Sequence, residues 1–178
     1  MTPIAVRLLA CLVAGASATV LHAQGQPKLP AAVQKAIGEM TSMCKGAGGR
    51  PGKSPDLLAI AELTGDERPD YVIDQSAFVC EGAASLFGGS GGSQVAVYVG
   101  TADGQAVQAF AGGAFGVQVD RDVKPARVSL IVGGPMCGQK ITANTPRSDY
   151  KSCWRPLVWN AGARKMDFAP LSQVRPVQ

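Results

Sequence analysis

Four cysteines, Cys44, Cys80, Cys137 and Cys153, are spread along a chain whose first residues read as an export leader, and this pairing constrains the fold most. Arg7 precedes the apolar run from Leu8 to Ala14, which continues more weakly to Leu21. A positive start, a short apolar stretch and a small residue at the break are signal-peptide features, predicting cleavage after Ala23 or, as the alternative, after Ala18. The run is too short to span a bilayer comfortably, so the mature chain is expected to carry no transmembrane segment. Cys11 falls inside the leader and reads as one of its apolar residues. In an exported chain an even set of cysteines predicts two disulfides.

Four cysteines allow three pairings. Cys44–Cys80 with Cys137–Cys153 is the preferred one. The first bridge would tie the end of a helix to the end of a strand, and the second would close a loop between two strand-like runs. A four-thiolate zinc site is the competing reading, disfavoured by export and by the lack of any C-x-x-C pair.

The leader also removes His22, the chain's single histidine. A mature chain without histidine excludes a Ser-His-Asp triad, a Cys-His dyad and a His-ligated zinc site. Cleavage after Ala23 leaves 155 residues, enough for one domain with a real core. The expected organisation is a signal peptide over 1–23, a linker over 24–30, a single domain over 31–170 and a C-terminal tail over 171–178.

Within that domain, Pro30 is placed to open a helix. Val33, Ile37, Met40 and either Met43 or Cys44 recur at helical spacing, and Gly46, Gly48 and Gly49 follow Lys45. Beyond Pro55 the pattern becomes one of strands: 57–63, 71–79, 94–100, 105–111, 116–120, 127–132, 154–159 and 165–168. Val95, Val97 and Val99 share one face, as do Val128, Leu130 and Val132. Asp103-Gly104 between two runs signals a hairpin. Short connections favour antiparallel pairing. The predicted fold class is α+β: an antiparallel β-meander with one N-terminal amphipathic helix packed on one face, stapled by disulfides.

The glycine-rich segment 88–93 lacks the Lys-Ser or Lys-Thr and the helix that a phosphate loop needs, and reads as an inter-strand loop. The segment with the most chemistry in it runs from Glu62 to Asp70. Glu62, Thr64, Asp66 and Asp70 stand at loop positions 1, 3, 5 and 9, with the Arg68 carbonyl at 7, which is how a tight loop converges oxygens on calcium. This stretch resembles the acidic loops of EF-hand-like and FG-GAP-type repeats in degenerate form. Thr64 and Glu62 replace more usual ligands, Glu67 replaces a glycine, and Arg68 adds a positive charge. The alternative is a tight turn into a strand, held by side-chain-to-backbone hydrogen bonds.

The order of helix, Cys44, acidic loop, Cys80, Phe87 and glycine segment, Cys137-Gly138, Cys153-Trp154-Arg155 and Leu157-Val158-Trp159-Asn160 resembles a group of small, uncharacterised exported proteins of Gram-negative bacteria. Their glycine segment commonly reads F-C-G-S-x-G-C, with Gly88 and Ser93 standing here where the two cysteines would be. The resemblance implies a periplasmic or secreted location and brings no activity with it.

Charge is segregated. Residues 24–120 carry 6 basic and 10 acidic side chains, whereas residues 121–178 carry 10 and 3. Arg121, Lys124, Arg127, Lys140, Arg147, Lys151, Arg155, Arg164 and Lys165 supply most of the excess, and gathered on one face they would hold an envelope protein or anionic polymer. The alternative is that the two halves neutralise each other. Export and modest net charge argue against nucleic acid. The leading expectation is a non-catalytic interaction module of the envelope, with Trp154, Trp159, Tyr98 and Tyr150 as contact candidates and no cofactor. A calcium-stabilised structural domain is one alternative. A hydrolase built on carboxylates such as Asp70 and Asp74 is a second, although strand rise alone sets that pair about 13 Å apart.

Overall fold

The computed structural model describes residues 28–177; the expected signal peptide and the first part of the linker lie outside them. Helix α1 spans Ala31–Gly46 and follows Pro30, whose carbonyl accepts the Gln34 N–H at 3.0 Å. It stops where Gly48 takes φ +79°, and Ala47, Gly48 and Gly49 donate back to Met43, Lys45 and Cys44. Its buried residues, Val33, Met40 and Cys44, form the predicted stripe.

Eleven strands follow in the described chain. Two very short ones, β1 (Arg50–Pro51) and β4 (Cys80–Glu81), pair with each other. Strands β2 (Leu58–Ala61), β3 (Asp70–Asp74), β5 (Ser93–Gly100) and β6 (Ala106–Ala114) form an antiparallel sheet in the order β2-β3-β5-β6. Strands β7 (Gly116–Asp120), β8 (Arg127–Gly133), β9 (Ser152–Asn160) and β10 (Lys165–Phe168) form a second antiparallel sheet in sequence order. Strand β11 (Arg175–Pro176) pairs with Trp154 and Cys153 of β9, so part of the expected tail joins this sheet.

The fold class is as expected, with one refinement: the meander is two sheets rather than one. The reason lies in β3. Tyr71, Val72 and Ile73 are consecutive and all buried, so both faces of this sheet need cover. On one face Tyr71, Ile73 and Tyr98 pack with Val33, Met40 and Cys44 of the helix. On the other, Val72, Val95, Val97 and Val99 pack with Val128, Leu130, Val132 and Leu157 of the second sheet. The resulting layers are helix, sheet, sheet.

A single residue, Phe115, carries the chain from β6 to β7 and so from one sheet to the other. Its N–H donates to Ile131 at 2.8 Å. Space at this corner is tight: a Cβ on Gly92, which sits at φ +86°, would lie 2.5 Å from the Ala114 carbonyl oxygen.

Both preferred disulfides are present. Cys44–Cys80 joins the helix end to β4, and Cys137–Cys153 joins the 3-10 turn Gly134–Cys137 to the start of β9. Two such bridges fit a protein that matures outside the reducing cytosol.

Candidate functional site

The acidic loop is built around backbone donors. Glu62 Oε1 accepts N–H groups from Thr64 at 2.8 Å, from Gly65, and from Asp66 at 3.2 Å. Asp66 accepts the Arg68 N–H at 3.0 Å and pairs with the Arg68 guanidinium. Glu67, standing where such loops usually have glycine, takes the left-handed turn itself at φ +64°.

Asp70 is fully buried. Its Oδ2 accepts the Leu63 N–H at 2.7 Å, and its Oδ1 accepts the Gly100 N–H at 2.9 Å. The carboxylate therefore locks the loop to the end of β5. Gly100 permits this because a Cβ there would meet the Pro69 carbonyl oxygen at 2.4 Å. Burial is the main influence on Asp70 and raises its pKa above the ordinary 3.8; the Gly100 and Leu63 donors pull it down, while Asp66 and Glu62 push it up.

The loop oxygens are taken up by hydrogen bonds within the loop and to the end of β5. The oxygens of Glu62, Asp66 and Asp70 face N–H groups and a guanidinium, and among the described residues no three His, Cys, Asp or Glu side chains converge as a ligand group. The side-chain-to-backbone turn is the arrangement observed. We expect a thermal melt with and without millimolar calcium to give the same midpoint; a rise of several degrees would contradict this assignment.

The Asp70 and Asp74 carboxylates are both engaged in hydrogen bonds. Asp74 accepts from Ser76 N–H at 2.9 Å and Ser76 hydroxyl at 2.7 Å, capping a short 3-10 turn over Gln75–Ala77. Asp70 is sealed beneath its own loop. A glycosidase-like pair needs two carboxyls open to substrate, and of these two Asp70 is fully buried.

The basic excess divides into separate groups. Arg121 and Lys124, in the turn between β7 and β8, lie around the same cavity as Glu62 and Glu67, so opposite charges from the two chain halves meet there. Arg155 is structural: its guanidinium donates to the Ala169 and Met136 carbonyls at 2.9 and 3.0 Å and stacks over Phe168. At the other end of β7 and β8, roughly 17–20 Å away by strand rise, Lys140, Arg147 and Lys151 are exposed. Among the described residues the ion pairs are Lys35–Glu39, Arg50–Glu81 and Arg68–Asp66, none involving these three cations.

No family model matches the chain, and neither a curated protein nor a solved structure is similar to it.

Beside this second basic group is an open cleft of about 420 Å³, lined by Ser90, Phe115, Gly133, Arg147, Tyr150 and Ser152 among others. The loop carrying Arg147 and Tyr150 is closed by Cys137–Cys153. Within it, Gln139 accepts the Lys151 N–H at 2.7 Å and donates to the Asp149 carbonyl at 2.9 Å. Arg147 and Tyr150 bracket a 3-10 turn, with the Tyr150 N–H donating to the Arg147 carbonyl at 3.2 Å. Both residues line the cleft.

Of the four aromatic contact candidates, only Tyr150 lines this cleft. Tyr98 is core, packed beneath the helix, and Trp159 packs against the core between the sheets. Trp154 is half-buried on β9. Phe115, 54% exposed, was not among those candidates. The signal for it was available: a large apolar residue in the short glycine-flanked connection between two strands.

Proposed function

We propose that this chain is an exported, non-catalytic interaction module of the cell envelope, periplasmic or secreted, that engages an anionic envelope component. The observation that carries this reading is the disulfide-closed loop 137–153, which presents Arg147, with Lys140 and Lys151 nearby, as exposed cations without ion-pair partners among the described residues. Exposed cations on a disulfide-closed loop attract a polyanion electrostatically. The acidic loop supports the reading from the other side, because its carboxylates are engaged in holding the turn. No helix of the described residues is long and apolar enough to cross a membrane.

Co-sedimentation of the oxidised mature protein with isolated envelope fractions tests it. Binding at low salt that weakens as salt rises, and that falls on combining Lys140→Gln, Arg147→Gln and Lys151→Gln, is the expected result. Failure of the wild-type protein to sediment with any fraction at low salt would overturn the reading.

A further inference from the structure

We infer that the cleft between Phe115 and Tyr150 is a binding site for an acidic sugar ring, with Arg147 receiving its carboxylate. This deepens the proposed function and rests on it, since it names the ligand class that the envelope would supply.

Two aromatic side chains flank Gly133. A Cβ on that glycine would lie 3.6 Å from the Phe115 ring and 4.0 Å from Tyr150 Cβ. The Tyr150 ring lies against Gly134, where a Cβ would come within 2.8 Å of Cδ2. These glycines give the aromatic groups close seating, and the Tyr150 ring is backed by main chain.

The chemistry of the lining selects the ligand. Phe115 is a large aromatic side chain left 54% exposed at a sheet corner. The C–H face of a sugar ring carries slight positive character and stacks on the negative face of an aromatic ring. The cleft is open and edged by the hydroxyls of Ser90 and Ser152, so sugar hydroxyls can stay hydrated or be hydrogen-bonded. Arg147 adds a planar donor fork that matches a carboxylate with two parallel hydrogen bonds. Arg147 and Tyr150, at the two ends of the 3-10 turn, both line the cleft. A volume of about 420 Å³ is in the range of small-ligand sites.

Two sources share this chemistry: a uronic-acid polysaccharide and a glycan whose sugar bears a lactyl carboxylate. The probes are therefore a uronic-acid trisaccharide, a muramic-acid-containing glycan fragment and a neutral trisaccharide. Each is titrated into the oxidised, isotope-labelled full mature protein by NMR. We expect at least one acidic probe to shift the Phe115, Arg147 and Tyr150 signals, and the responding probe identifies the source. Arg147→Gln and Phe115→Ala should each weaken that binding about tenfold or more. The neutral probe should leave those signals in place. Both substitutions are at exposed positions, and an unchanged melting midpoint verifies the fold of each variant.

The inference is overturned if neither acidic probe shifts the cleft signals, if the neutral probe binds equally well, or if both variants bind as the wild type does. Envelope co-sedimentation of the wild-type protein in any of those cases would leave the broader binding role standing while removing this site.

Discussion

Replacing Cys44, Cys80, Cys137 and Cys153 together by alanine should leave a chain that does not hold its fold at physiological temperature. Cys44–Cys80 closes a sequence separation of 36 residues and Cys137–Cys153 one of 16. In the chain-entropy picture these bridges contribute about 4 and about 3 kcal/mol by restricting the unfolded chain. Their joint loss, about 7 kcal/mol, is comparable with the whole stability of about 5–15 kcal/mol typical of a domain. The two bridges should also fail differently. The first fastens the end of α1 to β4 of the two-stranded β1–β4 ribbon, where Gly49 packs so closely that a Cβ would lie 2.4 Å from Cys80 Sγ. Cutting it frees the helix layer. The second holds the loop that bears Arg147 and Tyr150, so cutting it should weaken the cleft before the core. Denaturant unfolding of the single-pair and double-pair variants measures this. A four-alanine chain with a wild-type midpoint would contradict the stapling role.

Asp70→Ala should be the most damaging single carboxylate substitution in the acidic loop. It removes the acceptor for two buried donors, the N–H groups of Leu63 and Gly100. Each stranded donor costs about 1–3 kcal/mol, giving about 2–6 kcal/mol together. Asp70→Asn keeps one carbonyl acceptor and should lose about half as much. Glu62→Gln and Asp66→Asn act on a partly exposed turn and should fall well below both.

The same residue gives a pH signature. The folded-state pKa of Asp70 is raised above the ordinary 3.8, chiefly by burial. Above 3.8 the folded chain therefore retains a proton that the unfolded chain has released. The stability owed to this group is full below 3.8 and declines as pH rises through the folded-state pKa. The advantage of the wild-type chain over Asp70→Asn should accordingly be largest in acid and shrink toward neutrality. An advantage that grows with pH would mean that the two N–H donors outweigh burial.

Local patterns in the sequence carried much of this structure. The helical stripe from Val33 to Cys44 needed only its 3.6-residue period, and the valine triplets of β5 and β8 needed only period two. Asp103-Gly104 forms the β5–β6 turn, with Gly104 at φ +75°. The division into two sheets was less legible, because alternation says which side chains share a face but not which faces meet. The sign was the apolar triplet Tyr71-Val72-Ile73, too rich for a sheet covered on one side. Strands β1, β4 and β11 are two residues each, too short for any period to register.

The acidic loop shows what spacing alone leaves open. Glu62, Asp66 and Asp70 stand at intervals that would suit a cation, yet the same oxygens satisfy backbone N–H groups equally well. Choosing between the two requires knowing that Gly100 comes up against Pro69 and donates to Asp70, a contact 30 residues away in sequence. The cleft was hidden for the same reason. Phe115 and Tyr150 are far apart in the chain, and the two sheets together with the second disulfide bring them to one opening.

The central claim is that this chain functions outside the cytosol as a doubly cross-linked domain. The direct test is peptide mass mapping of the protein recovered from the cells that make it, alkylated before any reduction. The account predicts no alkylated cysteine among Cys44, Cys80, Cys137 and Cys153, with linked peptides joining 44 to 80 and 137 to 153, in extracts that exclude cytosol. Recovery of all four as alkylated thiols in the cytosolic fraction would contradict it.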